Sequence, residues 1–121
     1  MVLKLHIKHI YETPTNDDGW RVLVDRMWPR GLTKDKAKLD DWCKDIAPSA
    51  DLRKWFNHDL EKWPEFTEKY KKELDQNNIK IQAFIDSIKT HNIVSLLFAA
   101  HDSEHNNAVV LKDYLEQLSN D

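Results

Sequence analysis

Residues Ile93 to Ala100 (IVSLLFAA) are the longest apolar run in this 121-residue chain, interrupted only by Ser95. The run is continuous, β-branched at its start and aromatic near its end, which predicts a strand. It is far too short to span a bilayer. Trp20 to Asp25 (WRVLVD) is a second strand, with Val22, Leu23 and Val24 consecutive, the pattern of burial on both faces. The stretch between these two strands is long and carries helical patterns. A crossover of that kind makes its two strands parallel.

The remaining segments fill in around that pair. Leu3, Leu5 and Ile7 alternate with Lys4, His6 and Lys8, so Val2 to Tyr11 reads as a half-buried strand. Thr13 to Gly19 (TPTNDDG) is turn chemistry throughout. That first connection is short enough for a hairpin, which would make the sheet mixed. After the break at Pro29 and Gly31, Thr33 is a candidate N-cap for a helix with Leu39, Trp42, Cys43 and Ile46 on its inner face. Pro48 stops it, and Ser49 caps a short helix carrying Leu52, Trp55 and Phe56. Pro64 opens a longer helix with the stripe Trp63, Phe66, Tyr70 and Leu74, broken at Asn77 and Asn78. Ile81, Phe84, Ile85 and Ile88 mark the next helix. Ala108, Leu111, Leu115 and Leu118 point inward from the last. The order predicts one domain over residues 1–121: a small three-layer α/β fold with a mostly parallel or mixed central sheet flanked by helices.

Composition narrows the function classes. The net charge is −3, whereas a general nucleic-acid binder carries a basic excess, so nucleic acid is not favoured as a partner. The single cysteine, Cys43, rules out an intramolecular disulfide and a multi-cysteine zinc site. A reducing compartment fits this usage, and the charged, alternating N-terminus does not read as a secretion signal. The expectation is a cytoplasmic protein with no membrane partner. Two glycines, Gly19 and Gly31, are too few for a dinucleotide fingerprint, and there is no Walker loop.

In open α/β sheets, ligands bind beyond the carboxyl ends of the strands. One such end is Asp25-Arg26, running into Trp28-Pro29-Arg30. The other is Ala100-His101-Asp102, before a helix N-terminus. Parallel strands bring both groups to one edge. Arg26, Arg30 and Arg53 are candidates to hold a carboxylate or phosphate through their planar forks. Asp102, with His101 or Asp25, is the candidate for proton transfer. Ser49 with Arg53 closes the rim, Asn106 presents an amide, and Trp28 offers a stacking surface.

Several of these stretches resemble one family. Asp25-Arg26-Met27-Trp28-Pro29-Arg30-Gly31, Trp42 to Ser49 (WCKDIAPS), Leu52 to Phe56 (LRKWF), Leu96 to Asp102 (LLFAAHD) and Asn106 to Leu111 (NNAVVL) are similar to the YeaO-like family, domain of unknown function 488. The resemblance spans nearly the whole chain. It implies a small bacterial cytoplasmic protein with an α/β fold and implies no particular reaction. His9 stands where a typical member has Arg, His101 where Lys is usual, and Asn107 where His is usual.

Weaker patterns carry less. His101 to His105 spells H-x-x-E-H, yet the first histidine precedes the helix and no clear third ligand follows, so no metal is expected. Cys43 beside Trp42 reads as a small buried hydrophobe. The leading expectation is an enzyme or binding domain for a small, anion-bearing, nucleotide-like molecule. The alternative is a non-enzymatic module for a nucleic-acid or protein partner. Geometry discriminates: a concave pocket favours the first, a flat face the second. Cofactor and oligomeric state are not encoded legibly.

Overall fold

The computed structural model describes residues 4–119. Four strands form one sheet: β1 (Leu5–His9), β2 (Trp20–Leu23), β3 (Asp41–Trp42) and β4 (Val94–Phe98). Their order is β1-β4-β2-β3, and every pairing is parallel. β4, the apolar run, is buried at all its positions because it is central in the sheet and both of its faces are covered. Val2 and Leu3, included in the predicted first strand, lie outside the described residues.

Side-chain alternation divides the core in two. Leu5, Val22, Val94, Leu96 and Phe98 face one way. They pack against α2 (Ala50–Phe56), α3 (Trp63–Gln76), α4 (Asn78–Ile88) and α5 (Asn107–Ser119). Leu23 and Leu97 face the other way, with Ile10, against Trp28, Leu32, Leu39 and Trp42. That third layer is the β2–β3 connection, which includes the one-turn helix α1 (Lys34–Ala37). The expected α/β class holds, with the helices concentrated on one side.

Local signals set several element ends. The Ser49 hydroxyl accepts the Leu52 N–H at 3.1 Å and caps α2. Pro64 lies in the first turn of α3, where its missing N–H costs nothing. The stripe Phe66, Tyr70 and Leu74 is buried as its spacing predicts. Gly19 turns the chain into β2 at φ 65°, where a Cβ would collide with the Ile93 carbonyl.

The hairpin left open for the first connection does not form: β4 lies between β1 and β2, so the first two strands do not pair. Three expectations are corrected. The helix predicted from Thr33 through Ile46 stops at Ala37, since Lys38 turns left-handed at φ 47°. Asp41–Trp42 then joins the open edge of β2 as a strand, with Cys43 N–H donating to the Leu23 carbonyl at 2.9 Å. The unpaired backbone of β2 outweighs the helical spacing. The predicted inner face is accordingly split, with Leu39 and Trp42 in one core cluster and Cys43 and Ile46 in the other. Asn77 separates α3 from α4, but Asn78 already belongs to α4. Leu118 is 42% exposed rather than inward.

A charged network lies on the thinly covered face. Asp18 and Arg21 are 6% and 4% exposed. The Arg21 guanidinium reaches the Asp18 carboxylate at 2.6 Å and the Ala37 carbonyl at 2.8 Å. Lys8 Nζ donates to Asp18 Oδ1 at 2.8 Å, and Ser95 Oγ to the Asp18 carbonyl at 2.7 Å. Burial would raise the Asp18 carboxyl. Hydrogen bonds from Lys8, the Thr15 N–H and Arg21 outweigh it and hold the group at about 2.

Candidate functional site

Because β2 and β4 run parallel, their carboxyl ends open on the same edge, beside the start of α5. Asp25 follows β2 there. The Ala99 N–H donates to its Oδ2 at 3.0 Å, so the carboxyl spans the gap between the two strand ends. Asn107, the first residue of α5, donates its Nδ2 to the Val24 carbonyl at 2.9 Å and to Asp25 Oδ1 at 3.0 Å. Both acceptors are fixed, so the amide orientation is determined by its partners. Burial pushes the Asp25 carboxyl upward, against those two hydrogen bonds and the more distant charges of Arg53 and His9.

Above Asp25 lies a cleft of about 590 Å³. Its walls are largely apolar, with Trp28, Pro29, Pro48, Phe56 and Phe66 among them. Phe56 and Phe66 stack at 4.3 Å between centroids. The cations lining it are Arg26, Arg30, Arg53 and Lys54, and Asp25 is the one carboxylic side chain lining it among the described residues. Arg26 is held loosely by the Pro48 and Ala47 carbonyls at 3.2 and 3.3 Å. Arg30 and Arg53 are exposed and make no ion pair among the described residues. The loop carrying Arg30 is anchored from both sides. Tyr11 donates its hydroxyl to the Arg30 carbonyl at 2.7 Å, and Trp28 its indole N–H to the Leu32 carbonyl at 2.7 Å.

Most residues singled out from the sequence meet in this cleft: Asp25, Arg26, Trp28 and Arg30 after β2, Arg53 on α2, and His101 and Asn106 after β4. Two do not. Ser49 accepts the Leu52 N–H and donates to Glu73 at 2.6 Å, so it is a helix cap tied to α3. Asp102 is folded into its own turn. One oxygen accepts the Glu104 and His105 N–H groups, and the other meets His105 Nδ1 at 3.0 Å. The Glu104 N–H and the remaining hydrogen bonds keep this carboxyl below its ordinary range. Asn106 lines the cleft, but its Oδ1 caps α5 through the Val109 N–H at 3.2 Å.

Asn107, His105 and Lys54 line the cleft and were not singled out as site residues. Asn107 stands one position from Asn106, and only the start of α5 decides which of the two amides reaches Asp25. Cys43 stays outside: burial first, then the Asp41 carboxylate at 3.2 Å from Sγ, pushes its thiol up to about 12. That disfavours the nucleophilic thiolate. Among the described residues no group of three His, Cys, Asp or Glu is placed to hold a metal ion, and no helix is long and apolar enough to cross a membrane.

Comparison with known proteins gives a family. The model described as "Inactive DUF488-N3 subclade" matches residues 4–121. The chain is 37% identical over 116 residues to "Uncharacterized protein YeaO" of Escherichia coli (strain K12), covering 96% of this chain and 100% of that protein. It is 36% identical over 112 residues to "Uncharacterized protein Mb3100c" of Mycobacterium bovis, covering 93% of each. No solved structure matches the chain.

Proposed function

Because the chain belongs to the YeaO-like family, domain of unknown function 488, and matches a subclade described as inactive, we propose that its cleft binds a small anionic molecule without converting it. The observation that carries this reading is a local reversal of charge. A chain of net charge −3 lines one cleft with Arg26, Arg30, Arg53 and Lys54, and none of the four has an ion-pair partner among the described residues. Exposed like charges repel one another, and an incoming anion relieves that repulsion. Guanidinium forks suit phosphate or carboxylate. The aromatic and proline walls suit a planar apolar body, so a nucleotide-like anion fits both parts.

Binding without turnover is supported by the fate of Asp102. Its carboxylate is occupied by its own turn, and it does not line the cleft. The concave shape also favours a small ligand over an extended nucleic-acid or protein face.

The test is a thermal-shift screen with nucleoside monophosphates, sugar phosphates, dicarboxylates and short oligonucleotides, on wild type and the double variant Arg30→Ala/Arg53→Ala. A ligand at ~100 times its Kd adds about 2.7 kcal/mol, on the order of 10 °C in Tm for a chain of this size. The double variant should lose that shift while its unliganded stability stays within about 0.5 kcal/mol, since both side chains are exposed. No shift with any small anion would sink the reading. A shift confined to oligonucleotides and falling steeply with salt would replace it with nucleic-acid binding.

A further inference from the structure

Asp25 is half-buried and lacks what the buried Asp18 has. Asp18 is in direct contact with Lys8 and Arg21. Among the described residues Asp25 has no cation in contact and is met only by the Ala99 N–H and the Asn107 amide. A carboxyl drawn partly out of water without a counter-ion is stabilised by gaining either a proton or a further hydrogen-bond donor. The adjoining group offers acceptors too. Asn107 Nδ2 is committed to Val24 and Asp25, so the amide oxygen is the part left over, and it accepts no hydrogen bond among the described residues. The floor of the cleft is therefore rich in acceptors, while Arg26, Arg30 and Arg53 supply donors around it.

We propose that the Asp25–Asn107 pair selects ligands bearing an N–H donor, so that the molecule bound is an amino-bearing nucleobase-type anion. Its anionic group meets the arginines, its planar body lies against the aromatic wall, and its amino edge meets Asp25. The inference rests on the anion-binding reading above and adds the chemistry of the ligand's other end. The upward displacement of the Asp25 carboxyl by burial agrees with a group that gains from a donor. A site built to pair a substrate N–H discriminates strongly against an analogue lacking it, because the buried acceptor is then left unmatched.

The experiment uses matched nucleotides with and without the exocyclic amino group. Guanosine 5′-monophosphate is compared with inosine 5′-monophosphate, and adenosine 5′-monophosphate with purine riboside 5′-monophosphate, by titration calorimetry. At least one amino-bearing member should bind 10-fold or more tightly than its partner. Asp25→Asn should reduce that ratio to about 3-fold or less, and Arg30→Ala should weaken both members alike. Equal affinity within both pairs would overturn the inference and leave anion binding standing. An unchanged ratio in Asp25→Asn would overturn it as well. If none of the four binds while another anion from the screen does, the ligand class proposed here is wrong and the cleft's role survives. If no anion binds at all, both fail. The wild-type comparison stands whether or not the variants fold.

Discussion

Asp18 and Asp25 flank the same strand, β2, and their surroundings are opposites. Asp18, before the strand, is enclosed by Lys8, Arg21, Thr15 and the backbone, and its carboxyl is held at about 2. Asp25, after it, is half-buried, has two N–H partners and, among the described residues, no contacting cation, and its carboxyl is displaced upward. The cations near Asp25 instead line a cleft open to solvent. Charge satisfied inside the fold closes one side of the sheet. Charge left unsatisfied at the strand ends is what a binding site requires, at some expense in stability.

Removing the carboxylate on the closed side should have the largest effect. Asp18→Ala leaves Lys8 and Arg21 without their counter-ion under the sheet, and a loss of about 3–5 kcal/mol is expected in urea unfolding. A loss below about 1 kcal/mol would mean that both cations escape to water and that the network does not hold this face.

Acid tests the same region less severely. The folded Asp18 carboxyl lies below the unfolded value of 3.8, so its contribution is fully present above that value and is lost as pH falls through about 2. The contribution is roughly 2 kcal/mol at neutral pH. Unfolding free energies measured between pH 5 and pH 2 should decline more steeply in wild type than in Asp18→Asn. Parallel profiles would remove Asp18 from the comparison.

At the cleft the sign reverses and the size shrinks. The folded Asp25 carboxyl lies above its unfolded value, so its contribution is present at low pH and is lost as pH rises through the folded value. Relative to wild type, Asp25→Asn should therefore gain stability as pH rises from acid to neutral, although its amide NH2 must face either the Ala99 N–H or the Asn107 amide. A stability difference that does not change with pH would remove Asp25 from the comparison.

Much of this was legible from residues read locally. The run at Ile93 to Ala100, the triplet Val22-Leu23-Val24, the Ser49 cap and the stripe Phe66, Tyr70 and Leu74 each carry their own periodicity or cap chemistry. They formed the elements that the pattern predicts. β3 was not legible, because Asp41 and Trp42 pair only where the edge of β2 is already open to them. The site was half legible. The strand-end rule gathered Asp25, Arg26, Arg30, Arg53 and His101, which do line one cleft. Ser49 is the cap its position predicts and not a rim residue, while Asp102 looked like chemistry and is tied into its own turn, a role that short polar side chains ahead of turns and helices commonly take. Asn107 was missed because a shift of one residue in the start of α5 exchanges it for Asn106.

By itself the sequence determined the α/β class, the parallel pairing of its two most apolar strands and the edge at which the polar groups would collect. These follow from hydrophobic periodicity and crossover length, both properties of neighbouring residues. Only the tertiary structure decided the strand order, the fourth strand and which charges would be paired. Lys8, Asp18, Arg21 and Ser95 lie on three strands and a turn; Asp18 and Arg21 are local neighbours, but nothing in the spacing joins Lys8 and Ser95 to them until β4 inserts between β1 and β2. The same insertion brings Ala99 beside Asp25 and leaves that carboxyl with hydrogen bonds but no counter-ion among the described residues. Pairing depends on distances across the sheet, and those distances exist only once the chain has folded.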